Sequence, residues 1–487
     1  MNTSLRLKTF KNVGYNSFAR VLVFLFQIPA NIVLARQLTS DDYGIVGFSM
    51  IFINFLMRFG DLGIGSAVIQ KADLDEKGLY TGFTIKFILG FLIFIVAFFL
   101  SAIANKFFNN NAVVGVIKVL SLNFIINSFA FIPTSILTKE LDYKKLSISQ
   151  VAIGASTSII SVILVLNGFK YWSIVIANVC ATILSAIYLN IVKPVRIRFK
   201  YEKKIAAEFL HFGGNLFLSG IIIFLIFNFD NFIIGTVYGS QILGYYAIAF
   251  NWGSMVCVTL GILINRTLFP TFSKMQGDRE RLRKAYLEVM EYVSFLVVLA
   301  NMCLLIFSKE FFFVILGKNT DKWLPALTAL RILCIYGICR SLLEPIGSVI
   351  LATGQTKLLL RSNLIVAVAE LVIVYPILRY FGIEGVAIAV TVVYSLQYFV
   401  YFPYLRKEMN LGFSDFYSAI KPALISGLLL FIGFIVFKQK GSGTSIVFFI
   451  IKLFLTIPGY FAVYGFITKW KIVKETRSMV VSWMGQK

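Results

Sequence analysis

Apolar runs of about 20 residues, separated by short polar breaks, recur along the whole chain, and each is long enough to cross a bilayer as a helix. Fourteen such spans can be read, at 12–35, 43–70, 78–104, 112–137, 146–167, 171–192, 205–238, 242–268, 284–308, 322–352, 359–379, 384–405, 418–437 and 446–468. Several run past 25 residues, so tilt or a protruding turn is expected. Pro29, Pro133, Pro325, Pro345 and Pro376 interrupt spans and free backbone carbonyls there. The longest polar stretches reach only about a dozen residues, which leaves no room for a soluble domain. The pattern predicts an all-α integral membrane protein with about fourteen transmembrane helices. The first span follows a short basic segment and is too long for a cleavable signal, so it reads as an uncleaved anchor.

The pattern also repeats. NVGYNSFARVLVFLFQIPANIVLARQLTSDDYG from Asn12 aligns without gaps with FGGNLFLSGIIIFLIFNFDNFIIGTVYGSQILG from Phe212, at an offset of 200 residues. Gly14 matches Gly214, Asn31 matches Asn231, Ser40 matches Ser240, and Gly44 matches Gly244. Spans 1 and 7 start on the same side, so the repeat is parallel, the plan of transporters with two lobes around a central cavity. It divides the chain into an N-lobe at 1–204, a C-lobe at 205–409, and two further helices with a basic tail at 410–487.

Composition agrees with the pattern: 58% of the 487 residues are hydrophobic and only 14% charged, too few to cover a soluble surface. Charge adds an orientation. With the N-terminus in the cytoplasm, the cytoplasmic segments hold 29 Lys and Arg and the external loops nine, which places both termini inside. The net charge of +23 is largely this bias. The runs KPVRIRFKYEKK and KMQGDRERLRK could suggest nucleic acid, but they lie on the cytoplasmic membrane face. There they serve topology and attraction to anionic headgroups, or recruitment of an anionic lipid substrate. The five cysteines fall in apolar spans without metal-ligand spacing or an obvious partner, and the single His211 has no second ligand.

Against this background the polar residues inside spans stand out. On a helix, Asn16, Arg20, Gln27 and Asn31 of span 1 fall within an arc of about 60°, and so do Asn54, Arg58, Asp61 and Gly65 of span 2. Rise per residue puts Arg20, Arg58, Asp61 and Lys86, with Arg340 and Glu344 of span 10, roughly 12–20 Å in from the cytoplasmic ends. Charged groups at membrane depth mark functional sites. Arg58–Asp61 and Arg340–Glu344 can also be read as neutralised pairs locking helices together. Arg20 and Lys86 have no carboxylate at helical spacing. A cationic layer favours an anionic cargo, with the amides Asn16, Gln27, Asn31 and Asn54 available to sugars. At the repeat offset Arg20, Arg58 and Asp61 become Gly220, Val258 and Gly261. The second lobe instead carries Asp230 beside Asn231, and Glu370, candidates for a proton or sodium site. Each carboxylate can equally be one near the outer mouth or one paired with Arg340.

LARQLTSDDYG at Leu34–Gly44, DLGIGSAVIQ at Asp61–Gln70 and LATGQTK at Leu351–Lys357 resemble bacterial polysaccharide and O-antigen flippases. These are the Wzx-like and colanic-acid-exporter-like members of the multidrug/oligosaccharidyl-lipid/polysaccharide exporter superfamily. The resemblance implies two six-helix lobes plus two helices, working by alternating access. It implies export of an undecaprenyl-diphosphate-linked oligosaccharide across the inner membrane, often coupled to a cation gradient. Partners would be membrane lipids and other membrane proteins of polysaccharide assembly. In the related lipid II flippases, carboxylates of helices 7 and 11 contribute to a sodium site, and Asp230 and Glu370 sit on those helices here.

The alternative within the same fold is a cation-coupled multidrug exporter. Its lumen would be acidic or aromatic, whereas the first-lobe stripes are basic and amide. A membrane-embedded glycan polymerase would need a large external loop with catalytic residues, and the break Lys309–Asp321 is short and half apolar. No nucleotide-binding loop and no nucleophile–base constellation is present. The chain reads as a transporter, not an enzyme, with no cofactor beyond a coupling Na+ or H+.

Overall fold

The structure, a computed structural model, describes residues 3–470 except 63, 71–74, 109, 141, 196–197, 276, 318–319 and 437–445. The elements are all helical: α1 (Thr3–Gln37), α2 (Ser40–Asp61), α3 (Ile64–Gln70), α4 (Glu76–Phe108), α5 (Asn111–Leu120) and α6 (Leu122–Lys139). There follow α7 (Tyr143–Leu166), α8 (Trp172–Val192), α9 (Lys203–Ser273), α10 (Arg279–Ile306) and α11 (Ser308–Leu316). The series ends with α12 (Thr320–Trp323), α13 (Pro325–Ala352), α14 (Thr356–Met409), α15 (Phe413–Val436) and α16 (Ile446–Ile467). In hydrocarbon every backbone N–H and C=O must be satisfied within the segment, and a helix does this.

Among the described residues, eleven helical segments are long and apolar enough to cross a membrane. Two of them are double. α9 breaks at Gly239 (φ 79°) and α14 at Gly382 (φ 63°), a backbone conformation that glycine adopts without the steric penalty of a Cβ. Counting the halves apart, and adding the shorter apolar segment Lys452–Ile467, recovers the expected fourteen. Large apolar side chains such as Phe99, Ile191 and Leu455 are more than 70% exposed, as lipid-facing residues are.

Two expectations need correction. The span read at 43–70 is not one helix: α2 ends at Asp61, Leu62 turns into the left-handed region (φ 36°), and α3 begins at Ile64. Gly65 therefore does not continue the polar face of α2. The span read at 112–137 stands as one, Asn111–Lys139, with α5 and α6 meeting at Ser121 in helical dihedrals (φ -63°, ψ -21°). Pro325 does not interrupt a helix but stands at the first turn of α13, where its missing N–H removes no helical bond.

The chain forms two compact units, residues 1–247 and 248–487. This boundary follows packing and falls inside α9, later than the repeat boundary at 204/205. In unit 1, α1 packs along α7, α7 along α8, α4 along α6, and α2 along α4 and α5. Small polar residues let these helices approach: the Ser149 and Ser185 hydroxyls lie 2.8 Å apart, and Asn123 donates to Asn178 at 2.8 Å. In unit 2, α10 packs on α13 and α15, and α13 on α14, around a core that includes Tyr286, Val298, Ile346, Val349 and Tyr460.

Candidate functional site

The start of α2 is fixed locally. Thr39 caps it by accepting from the Asp42 N–H (3.2 Å), while Asp42 accepts from both the Thr39 N–H (2.9 Å) and hydroxyl (2.8 Å). This capping box supplies partners that the first turn of any helix lacks. Four residues beyond Ser40 comes Gly44. A Cβ there would collide with the carbonyl of Ser240, and a Cβ at Gly244 would collide with the carbonyl of Ser40. The Ser240 hydroxyl donates to the Asp41 carboxylate. Two Ser-x-x-x-Gly segments, equivalent in the repeat, thus cross backbone against backbone within unit 1, each glycine facing the other's serine. Below the crossing, the first half of α9 lines α2. Phe232 stacks on Phe48 with centroids 5.9 Å apart, and Phe224 meets Phe55 at 5.5 Å.

Crossed in this way, α2 leaves one face uncovered. Asn54 and Arg58, one turn apart, are both exposed, as are Gln27 and Asn31, one turn apart on α1. Arg20, on the same helix, is half-buried. The side chains of Asn16 and Asp61 lie outside the described residues. Lys86 is half-buried on α4, and its ammonium donates to the Gly60 carbonyl at 2.8 Å, in the last turn of α2. A cation is favoured at a helix C-terminus, where carbonyls lack partners and the dipole is negative. The structure thus joins Lys86 to the α2 layer. Arg20 belongs to a different helix pair, since α1 packs along α7 whereas α2 packs along α4 and α5.

Asp230 of α9 is 3% exposed. One carboxylate oxygen accepts from the Tyr246 hydroxyl at 2.7 Å, and the other from the Asn231 backbone N–H (2.7 Å) and side-chain amide (3.0 Å). These donors are neutral. The repeat comparison could not find Tyr246, which reaches Asp230 across the break at Gly239.

In unit 2, Arg340 is half-buried on α13. It lies 4.0 Å from Glu344, donates to the Tyr336 hydroxyl at 3.3 Å, and stacks 4.8 Å from the Tyr394 ring centre. Tyr336 and Tyr394 meet edge to face at 5.1 Å. Two rings and a carboxylate therefore hold this guanidinium, and cation–π contact adds to the ion pair. Glu370 is buried on α14.

A family model described as "Polysaccharide biosynthesis protein" matches residues 33–328. The chain is 25% identical to the lipopolysaccharide biosynthesis protein WzxC of Escherichia coli (strain K12), over 74% of this chain and 73% of that protein. It is 24% identical to the teichuronic acid biosynthesis protein TuaB of Bacillus subtilis (strain 168), over 88% of this chain and 89% of that one. Among solved structures, the lipid II flippase MurJ in an inward closed conformation aligns with a TM-score of 0.75 at 14% identity, covering 94% of this chain and 99% of that one. An inward-facing multidrug resistance MATE family transporter of the MOP superfamily aligns with a TM-score of 0.67 at 16% identity, covering 80% and 94%. At such identities these structures speak for the fold.

Proposed function

The chain belongs to the polysaccharide biosynthesis protein family, and from that premise we propose that it flips an undecaprenyl-diphosphate-linked oligosaccharide from the cytoplasmic to the outer leaflet by alternating access. One observation carries this reading. Gln27, Asn31, Asn54 and Arg58 are exposed on helices that are predominantly apolar and of membrane length. Amides and a guanidinium are disfavoured against lipid tails, so such faces line a water-filled path. Its charge suits an anion. A diphosphate entering it gives up much of its hydration, and Arg58 can replace that with bidentate, charge-assisted hydrogen bonds. The amides offer both donors and acceptors to sugar hydroxyls. A path for cationic drugs would call for carboxylates where these amides and Arg58 stand.

Coupling to a sodium or proton gradient belongs to the same proposal. Among the described residues the groups that donate to Asp230 are neutral, which leaves its charge for a proton or a sodium ion to balance. Glu370 is the second candidate. Asp230→Asn or Glu370→Gln then slows transport and removes its dependence on sodium or pH, and unchanged ion dependence in both variants would make these carboxylates structural.

The test of the main reading is surface display of the glycan in a flippase-deleted host carrying the chain or its variants. Arg58→Ala abolishes display while the protein stays in the membrane at near-normal level. Full display by the double variant Arg58→Leu, Asp61→Leu would instead make the pair a structural lock, since the cargo would then need neither charge.

A further inference from the structure

Unit 2 contains a cavity of about 820 Å³ remote in sequence from the polar faces of α1 and α2. It lies among α13, the second half of α14 and α15. Its floor is apolar and buried: Ile338, Leu342, Leu411 and Ile420 are each less than 9% exposed. Its wall is aromatic. Phe402 packs against Phe413 (5.4 Å) and edge to face on Phe416 (5.1 Å). The polar groups of the lining are already engaged, the Tyr398 hydroxyl with the Cys339 carbonyl at 2.7 Å and the Ser395 hydroxyl with the Thr391 carbonyl at 2.8 Å. A ligand in this space therefore meets hydrocarbon and ring faces. The volume falls in the range of about 300–1,000 Å³ usual for small-ligand sites.

The exception is Arg406, in the last turn of α14 and part of the lining. Ser395 and Arg406 are separated by roughly 16 Å of helix rise, so the cavity is long and its one charge stands at one end. That end is where two apolar segments of membrane length meet, α14 stopping at Met409 and α15 starting at Phe413. The same turn is braced by Asp415, which accepts from the Gly412 N–H (2.9 Å) and pairs with Arg283 at 2.9 Å. Arg283 is thereby neutralised. Arg406 forms no ion pair among the described residues. Phe399 and Phe413 at the rim are 78% and 67% exposed, so the cavity opens toward lipid.

We propose that this cavity is a binding site for one anionic phospholipid, an acyl chain lying along the apolar floor and the phosphate on Arg406. The chemistry is two-part: a long dry slot excludes polar ligands, and a lone guanidinium at the interface selects a negative headgroup over a zwitterionic one. This site stands independently of the cargo reading, which concerns other helices.

The experiment uses the purified full-length chain, stripped of lipid in detergent and titrated with dioleoyl-phosphatidylglycerol or dioleoyl-phosphatidylcholine under native mass spectrometry. The expected result is one retained phosphatidylglycerol per chain, held about tenfold or more tighter than phosphatidylcholine, the worth of one charge-assisted contact. Arg406→Glu brings the two lipids level, and Ile420→Trp, which fills the floor, abolishes retention of both. Excess inorganic phosphate does not displace the lipid, because the chain contributes to the affinity. Should Ile420→Trp fold poorly, the wild-type chain still decides: phosphatidylglycerol raises its unfolding temperature more than phosphatidylcholine does, and Arg406→Glu removes the difference. Equal retention of both lipids by the wild type, or undiminished preference in Arg406→Glu, overturns the proposal. Displacement by free phosphate overturns it as a lipid site, and displacement of phosphatidylglycerol by a polyprenyl diphosphate at equal concentration assigns the cavity to the cargo instead.

Discussion

Arg58 and Lys86 lie close together along the fold but do different things. Lys86 donates an ammonium N–H to the Gly60 carbonyl, so it holds the end of α2. Arg58 is exposed on the face of the same helix. Lys86→Met keeps the aliphatic stem and loses that hydrogen bond, a loss of about 1.5–3 kcal/mol for a charged donor. The expected outcome is reduced stability and membrane level, measured by unfolding in detergent and by immunoblot. Arg58→Ala is expected to leave both near normal and to remove transport. Arg58→Lys keeps the charge and loses the planar fork, so its transport falls by about tenfold and is not abolished. A drop in level for Arg58→Ala equal to that for Lys86→Met would make Arg58 structural too. The sequence singled out both residues by depth and charge. It could not separate them, because the partner of Lys86 is a backbone carbonyl, and backbone acceptors carry no residue identity.

At the scale of elements, the bilayer makes helices easy to read: a segment must be long, apolar and hydrogen-bonded to itself. The break at Leu62 escaped because LGIG is apolar on both sides of the turn. The crossing of Ser40–Gly44 with Ser240–Gly244 was half legible. The four residues match at the repeat offset, but matching is not touching, and nothing in the spacing says that the equivalent segments meet. The crossing makes a prediction about additivity. Gly44→Ala or Gly244→Ala alone forces the backbones apart, at about 1–3 kcal/mol. The double variant costs less than the two together, because the first substitution has already opened the space that the second needs. Unfolding of the two single variants and the double in detergent measures this, and strict additivity would mean that the two glycines do not share one contact. The Asp230–Tyr246 contact was not legible at all, since it spans the break at Gly239 and tyrosine is common in apolar helices.

For the whole molecule, we propose from the excess of positive charge on one set of loops that the termini and the segments 193–204 and 274–284 face the cytoplasm. A cysteine at Lys200 should resist an impermeant thiol reagent in intact cells, and one at Asn110 should label; labelling at Lys200 from outside reverses the orientation. What the chain carries is a separate matter: the fold, which MATE-like and MurJ-like structures share, does not decide it, and in our proposal the exposed faces of α1 and α2 do. The most direct measurement is translocation of a fluorescent polyprenyl-diphosphate oligosaccharide across liposomes containing the purified chain. The wild-type chain is predicted to move it between leaflets faster than empty liposomes, with Arg58→Ala falling to the empty rate. Movement at the empty rate by the wild-type chain across an imposed sodium or proton gradient, or an Arg58→Ala rate equal to wild type, would contradict it.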